Sequence, residues 1–305
     1  MSSSHASFEE RRLLGIGLVF CAYLLFTTLD SSAKWLGLIG MPAIQIMFMR
    51  YAVHLGIVAV VYLPREGKGL WKTRNLTVEV LRSAALIGST LCNFTAVRYL
   101  PLTVTGAIGF TTPLIICVLS VFLLKEQVGW RRWTAIAVGF VGVLIIVRPG
   151  TETFHPATLL SIGGAFCYGF YAMLTRKLVG VDSVATQQFF ASGLATLLLI
   201  PFAFLTWQWP TTTVDWIVFL LIGVIGFSGH QLITLAHRHA PASILAPFAY
   251  VQIIFIAVAS WLVFNQPPEI WFYLGAPVVI GSGFYLWLRE RQLAKPLTPV
   301  TAEDR

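Results

Sequence analysis

The chain has 305 residues, of which 57% are hydrophobic and only 11% charged. Water-soluble domains carry about 25% charged residues, so this composition excludes a globular protein with a water-facing surface. The net charge of +8 does not point to nucleic acid, because the cations sit in short gaps between apolar runs rather than on one soluble face.

A helix crosses a bilayer in roughly 20 residues. Ten apolar runs of that order follow one another, at 13–33, 42–63, 79–99, 102–124, 130–147, 156–176, 184–206, 214–236, 241–264 and 270–288. Arg11 and Arg12 before the first run resemble the start of a signal peptide. Its "FCAY" at 20–23 returns as "FCYG" at 166–169, however, so the run is counted with the mature fold. Breakers and charges divide the rest: "PREGKGLWKTRN" at 64–75, "KEQVGWRR" at 125–132, "RPGTETFHP" at 148–156, "WQWPTTTVDW" at 207–216 and "NQPPE" at 265–269. The segments Met1–Glu10 and Gln292–Arg305 read as short, mobile tails.

Charge orients the chain. All Lys and Arg except Lys34, Arg50, Arg98 and Arg148 fall in the N-terminal segment, around the connections after even-numbered spans, or in the C-terminal segment. Positive connections stay in the cytoplasm, so both termini are expected to be cytoplasmic. Five spans precede the connection at 148–155 and five follow it. An odd number per half makes the second half enter from the opposite side. The phrase "TAVRYLP" at 95–101 has a counterpart in "LAHRHAP" at 235–241, placing Ala96, Arg98 and Pro101 against Ala236, Arg238 and Pro241. The expected fold is therefore all-α, ten transmembrane helices as two inverted five-helix repeats, 13–147 and 156–288. Transporters recurrently use such repeats and place the solute at the repeat interface.

Several residues and motifs carry a family resemblance: the five-plus-five order, the paired proline-led spans four and nine, and "FLLKEQVGWRRWTAIAVGFVGVLIIVRPG" at 122–150. The chain resembles the EamA family of the drug/metabolite transporter superfamily over about residues 13–290. The second copy departs from the family pattern, with Gln266 where a glutamate is usual; Glu126 keeps the glutamate in the first. The resemblance implies a central cavity lined by both halves. It also implies transport of a small organic metabolite across a bacterial inner membrane by alternating access. The segments at 129–149 and 246–269 look most like branches carrying riboflavin or S-adenosylmethionine. Riboflavin uptake is the first expectation. S-adenosylmethionine uptake or exchange, and export of amino acids or amphipathic metabolites, are the alternatives; a non-transporting receptor or an intramembrane enzyme is more remote.

Arg50 is the sharpest single signal. It lies about eight residues into span two, on the order of 12 Å from the helix end, where a cation is costly unless paired or hydrated. Asp30 is its expected ion-pair partner, with Lys34 competing for Asp30 one turn away. Polar residues scattered through the spans (Gln45, His54, Asn93, Thr111, Thr112, Gln187, Gln188, His230, Gln231 and Gln252) either join helices or line a cavity. Thr112 and Gln252 occupy matching repeat positions, as do Phe110 and Tyr250, while Tyr23 and Tyr168 follow the matched "FC" pairs. Tyr23, Arg50, Phe110, Thr112, Tyr168, Gln188, Tyr250 and Gln252 are thus the candidate solute contacts, a set suited to a flat heterocycle. Cys21, Cys92, Cys117 and Cys167 form no C-x-x-C pair and read as small hydrophobes. No phosphate-binding loop, metal-ligand spacing or catalytic triad is recognisable. The expectation is accordingly no cofactor, no metal and no enzymatic step, with a small organic solute and membrane lipid as partners, no nucleic acid, and the oligomeric state left open. Asp30 is the one acid well inside a span, which favours facilitated movement or exchange, while His54 and His230 leave a proton route open.

Overall fold

A computed structural model describes residues 2–124, 129–151, 154–178, 180–240 and 245–293. Glu126 and Pro241 lie outside the described residues. Every regular element described is helical. Nine helices among these residues are long and apolar enough to cross a membrane: Leu13–Leu38, Ala43–Gly69, Leu76–Tyr99, Leu102–Phe122, Trp130–Val147, Ala157–Lys177, Val184–Ala203, Thr213–His239 and Ile270–Arg289. Phe248–Phe264 is the shorter tenth, span nine of the sequence. Span one belongs to a longer helix, Ser2–Leu38, so residues 2–10, expected as a tail, are helical. The bundle is an all-α membrane protein of ten spans in two repeats.

Local chemistry sets the helix starts. Asn75 caps span three by accepting from the Val78 N–H, and Ser183 caps span seven by accepting from Thr186. Thr212 and Asp215 form a reciprocal capping box at the start of span eight. The two repeat phrases end their helices in the same way. Leu100 N–H donates to the Ala96 carbonyl at 2.9 Å, and Ala240 N–H donates to the Ala236 carbonyl at 3.0 Å. Both alanines are fully buried.

Packing follows an exchange rule. Span one packs mainly on span eight, and span three on span six; exchanging each span for its repeat mate turns one pairing into the other. Spans two and seven, four and nine, and five and ten pack as mates. Most close packing therefore runs between the repeats rather than within either.

Small residues permit these approaches, because lipid tails offer no hydrophobic drive between helices and close van der Waals contact has to supply it. A Cβ on Gly223 would lie 2.7 Å from the Arg50 carbonyl, and one on Gly229 would lie 2.7 Å from the Phe26 ring. Between spans five and ten, a Cβ on Gly275 would sit 2.6 Å from the Gly142 carbonyl. Large apolar side chains such as Leu197, Phe202 and Trp261 point outward and are exposed, as suits a lipid-facing surface.

Candidate functional site

Spans four and nine both depart from regular α-helix partway along their length. Span four is helical over Leu102–Gly109, turns at Phe110 and Thr111, and resumes over Thr112–Leu124. Pro113 has no N–H to return to the Gly109 carbonyl. The Thr112 hydroxyl donates to that carbonyl instead, at 2.7 Å. In span nine the described residues from Ala246 to Val251 form a 3₁₀ helix, which passes into the α-helix Gln252–Phe264. The interruptions fall at matching repeat positions, with Phe110 against Tyr250 and Thr112 against Gln252. Irregular backbone at this depth is tolerated where it lines a cavity.

A cavity of about 650 Å³ lies there. Its lining draws on spans one, two, three, four, six, eight, nine and ten. The Phe110 and Tyr250 rings meet across the repeat boundary at 5.7 Å. Gly283 leaves room for the Tyr250 hydroxyl, since a Cβ there would lie 2.4 Å from it. Tyr23, Phe26 and Tyr168 extend the aromatic wall, and Thr112 and Gln252 face the same space. Gln252 makes no side-chain hydrogen bond among the described residues, whereas the Thr112 hydroxyl is taken up by the backbone. Toward one end the lining reaches His237 and Phe284, both exposed. At the opposite end Lys34 is buried, donating to the Leu100 carbonyl at 2.6 Å and lying 5.3 Å from the Phe264 ring centroid. Lys34 thus ties the ends of spans one, three and nine together, and its cation suits the carbonyl end of span three.

Seven of the eight candidate contacts named from the sequence line this cavity: Tyr23, Arg50, Phe110, Thr112, Tyr168, Tyr250 and Gln252. Gln188 does not; its side chain faces His54 on span two. The expected Asp30–Arg50 ion pair is not formed. Arg50 Nη1 donates to Thr90 Oγ1 at 2.7 Å and to the Tyr51 hydroxyl at 3.1 Å, and the guanidinium lies 4.7 Å from the Tyr51 ring centroid and 5.6 Å from that of Phe94. Asp30 Oδ1 accepts from Asn93 Nδ2 at 2.8 Å. Neutral groups on span three thus hold the two charges apart. Lys34 does not compete for Asp30 either, being committed to Leu100.

Sequence reasoning missed Thr90, Phe26 and Trp287, which also line the cavity; nothing in their local pattern sets them apart from packing or interfacial residues. It also counted Arg82 with the loop cations. Arg82 is buried and bonds Glu79, the Thr175 hydroxyl, the Tyr171 hydroxyl and the Gln187 carbonyl. Other polar residues join helices: Gln45 and Gln208 exchange two hydrogen bonds, and Gln231 donates to the Tyr62 hydroxyl at 2.6 Å.

Comparison with known proteins agrees with this architecture. A riboflavin transporter of Vibrio cholerae is 29% identical over 298 residues, covering 94% of this chain and 100% of that protein. An S-adenosylmethionine uptake transporter of Rickettsia bellii is 27% identical, covering 92% of this chain and 95% of its own. A pseudopaline exporter of Pseudomonas aeruginosa is 24% identical over 87% of this chain and 93% of its own. One solved crystal structure superposes with a TM-score of 0.61 over 94% of this chain and 99% of the other, at 19% identity, which speaks to the fold. The EamA-like transporter family matches residues 13–148 and again 155–288. Ten spans in two repeats and two family matches covering both halves establish that this chain belongs to the EamA-like transporter family.

Proposed function

We propose that the chain moves a small, flat, nitrogen-rich metabolite across a bacterial inner membrane, and that the central cavity is its transport site. The observation that carries this reading is the aromatic wall at the paired helix interruptions, with Phe110 and Tyr250 in contact across the repeats. Aromatic side chains supply large apolar area and offset stacking for a planar ring. Riboflavin and S-adenosylmethionine, the solutes named for two relatives, both carry one. The reading includes cytoplasmic termini, as the cation distribution supports. The exposed end of the cavity, at His237 and Phe284, then faces the cytoplasm, and the end tied by Lys34 faces outward. Alternating access exchanges these roles between the two repeats.

The test is a ligand panel on purified protein, followed by uptake into reconstituted vesicles. A ligand that binds the folded state raises its apparent stability by mass action. Riboflavin or S-adenosylmethionine is expected to raise the melting temperature and to accumulate unchanged in the vesicles. Absence of both effects for both solutes would sink the proposal.

A further inference from the structure

The buried and half-buried charges of the bundle fall into two groups. Lys34 is bonded to Leu100, and Arg82 to Glu79, Thr175, Tyr171 and Gln187. Asp215 accepts from Trp35, Thr211 and Thr212. These serve the fold. Asp30 and Arg50 differ: both line the cavity, and they carry opposite charges without pairing. Asp30 accepts a single described hydrogen bond, from Asn93. Arg50 is 5% exposed, and its Nε, buried beside Gly226, has no hydrogen-bond partner among the described residues. Contacts with the Tyr51 and Phe94 rings and with Thr90 fix its guanidinium in place.

We infer that Asp30 and Arg50 form a two-point clamp for a zwitterionic amino-acid group, with the ammonium on Asp30 and the carboxylate on Arg50. This rests on the cavity being the transport site, and it narrows the solute to a flat ring bearing such a group. The physical reason is charge balance in a desolvated site. Closing the cavity over a neutral flavin strips water from both charges and returns only neutral hydrogen bonds. A solute of one sign satisfies one residue and is repelled by the other. A zwitterion answers both, because a carboxylate accepts charge-assisted hydrogen bonds from a guanidinium while the ammonium donates to the aspartate. The ring then meets Phe110, Tyr250, Tyr23 and Tyr168 on the same cavity surface.

Two nucleosides isolate the head group. S-adenosylhomocysteine carries adenine and an amino-acid zwitterion; 5′-methylthioadenosine keeps the thioether nucleoside and lacks the amino acid. Titrated against the purified full chain, the first is expected to bind at least tenfold more tightly. Asp30→Asn and Arg50→Gln should each collapse that preference to within about twofold. Melting temperature and monodispersity report folding, and Arg50→Lys serves if Arg50→Gln is lost, since it keeps the charge but not the bidentate fork. Equal affinity for the two nucleosides, or an unchanged preference in Asp30→Asn, overturns the clamp. Riboflavin separates the levels of failure. If riboflavin alone binds, the clamp is wrong and the transport cavity stands. If S-adenosylmethionine binds while S-adenosylhomocysteine does not, the clamp is wrong; if neither these nor riboflavin nor 5′-methylthioadenosine binds, both readings are wrong.

Discussion

Gln252 and Thr112 are repeat mates, yet they do different jobs. The Thr112 hydroxyl closes the turn that Pro113 breaks, while the Gln252 side chain lines the cavity with no hydrogen bond among the described residues. Gln252→Leu is therefore expected to weaken solute binding about twofold to tenfold, the worth of one hydrogen bond, and to leave the melting temperature within a degree or two. Measuring affinity and melting on one preparation decides it; a destabilised variant with unchanged affinity removes Gln252 from the site. Repeat matching made Phe110, Thr112, Tyr250 and Gln252 legible in the sequence, because mates at a pseudo-axis converge. It said nothing of partners. Arg50 and Asp30 stood out by cost alone, and only coordinates show that Thr90 and Asn93 intervene. Gln188 failed because span seven contributes no residue to the cavity lining, and a polar residue within a span does not reveal which neighbour it faces.

Elements were read more completely than side chains. The apolar runs matched the observed spans closely, since bilayer thickness fixes helix length. Span one ran five residues past its expected end, to Leu38, because Lys34 is buried rather than a loop residue. Pro113 and Pro247 stand at the irregular stretches of spans four and nine, although proline alone does not say whether a helix bends or breaks. Contact between spans five and ten depends on the absence of side chains at Gly142 and Gly275. A Cβ on Gly275 meets backbone, which has little freedom to retreat. Gly275→Val should destabilise the protein by about 1–3 kcal/mol through overpacking, read as a lower melting temperature in detergent. Gly109→Val serves as the control, since nothing lies within 4 Å of a Cβ there.

At the scale of the molecule, parity and charge predict sidedness. Single cysteines at Arg98 and Arg238, introduced into a chain lacking Cys21, Cys92, Cys117 and Cys167, should react with impermeant thiol reagents from opposite sides of the membrane. Arg98 is expected to label from outside and Arg238 from the cytoplasm. Labelling of both from one side contradicts the inverted arrangement. The order and number of spans were legible in the sequence. Which spans touch was not, because hydropathy marks helices without marking neighbours, and the cross-repeat pairings emerge only when the bundle closes.

Those pairings bear on how the chain is made. Span one leaves the ribosome first, yet its main neighbour, span eight, is encoded some 200 residues later. Span two waits similarly for spans seven and eight, and span three for span six. The early helices enter the bilayer before their packing partners exist, and lipid must accommodate Asp30 and Arg50 in the interval. Assembly of this protein is thus a late, largely post-insertion event, completed when the second half of the chain reaches the membrane.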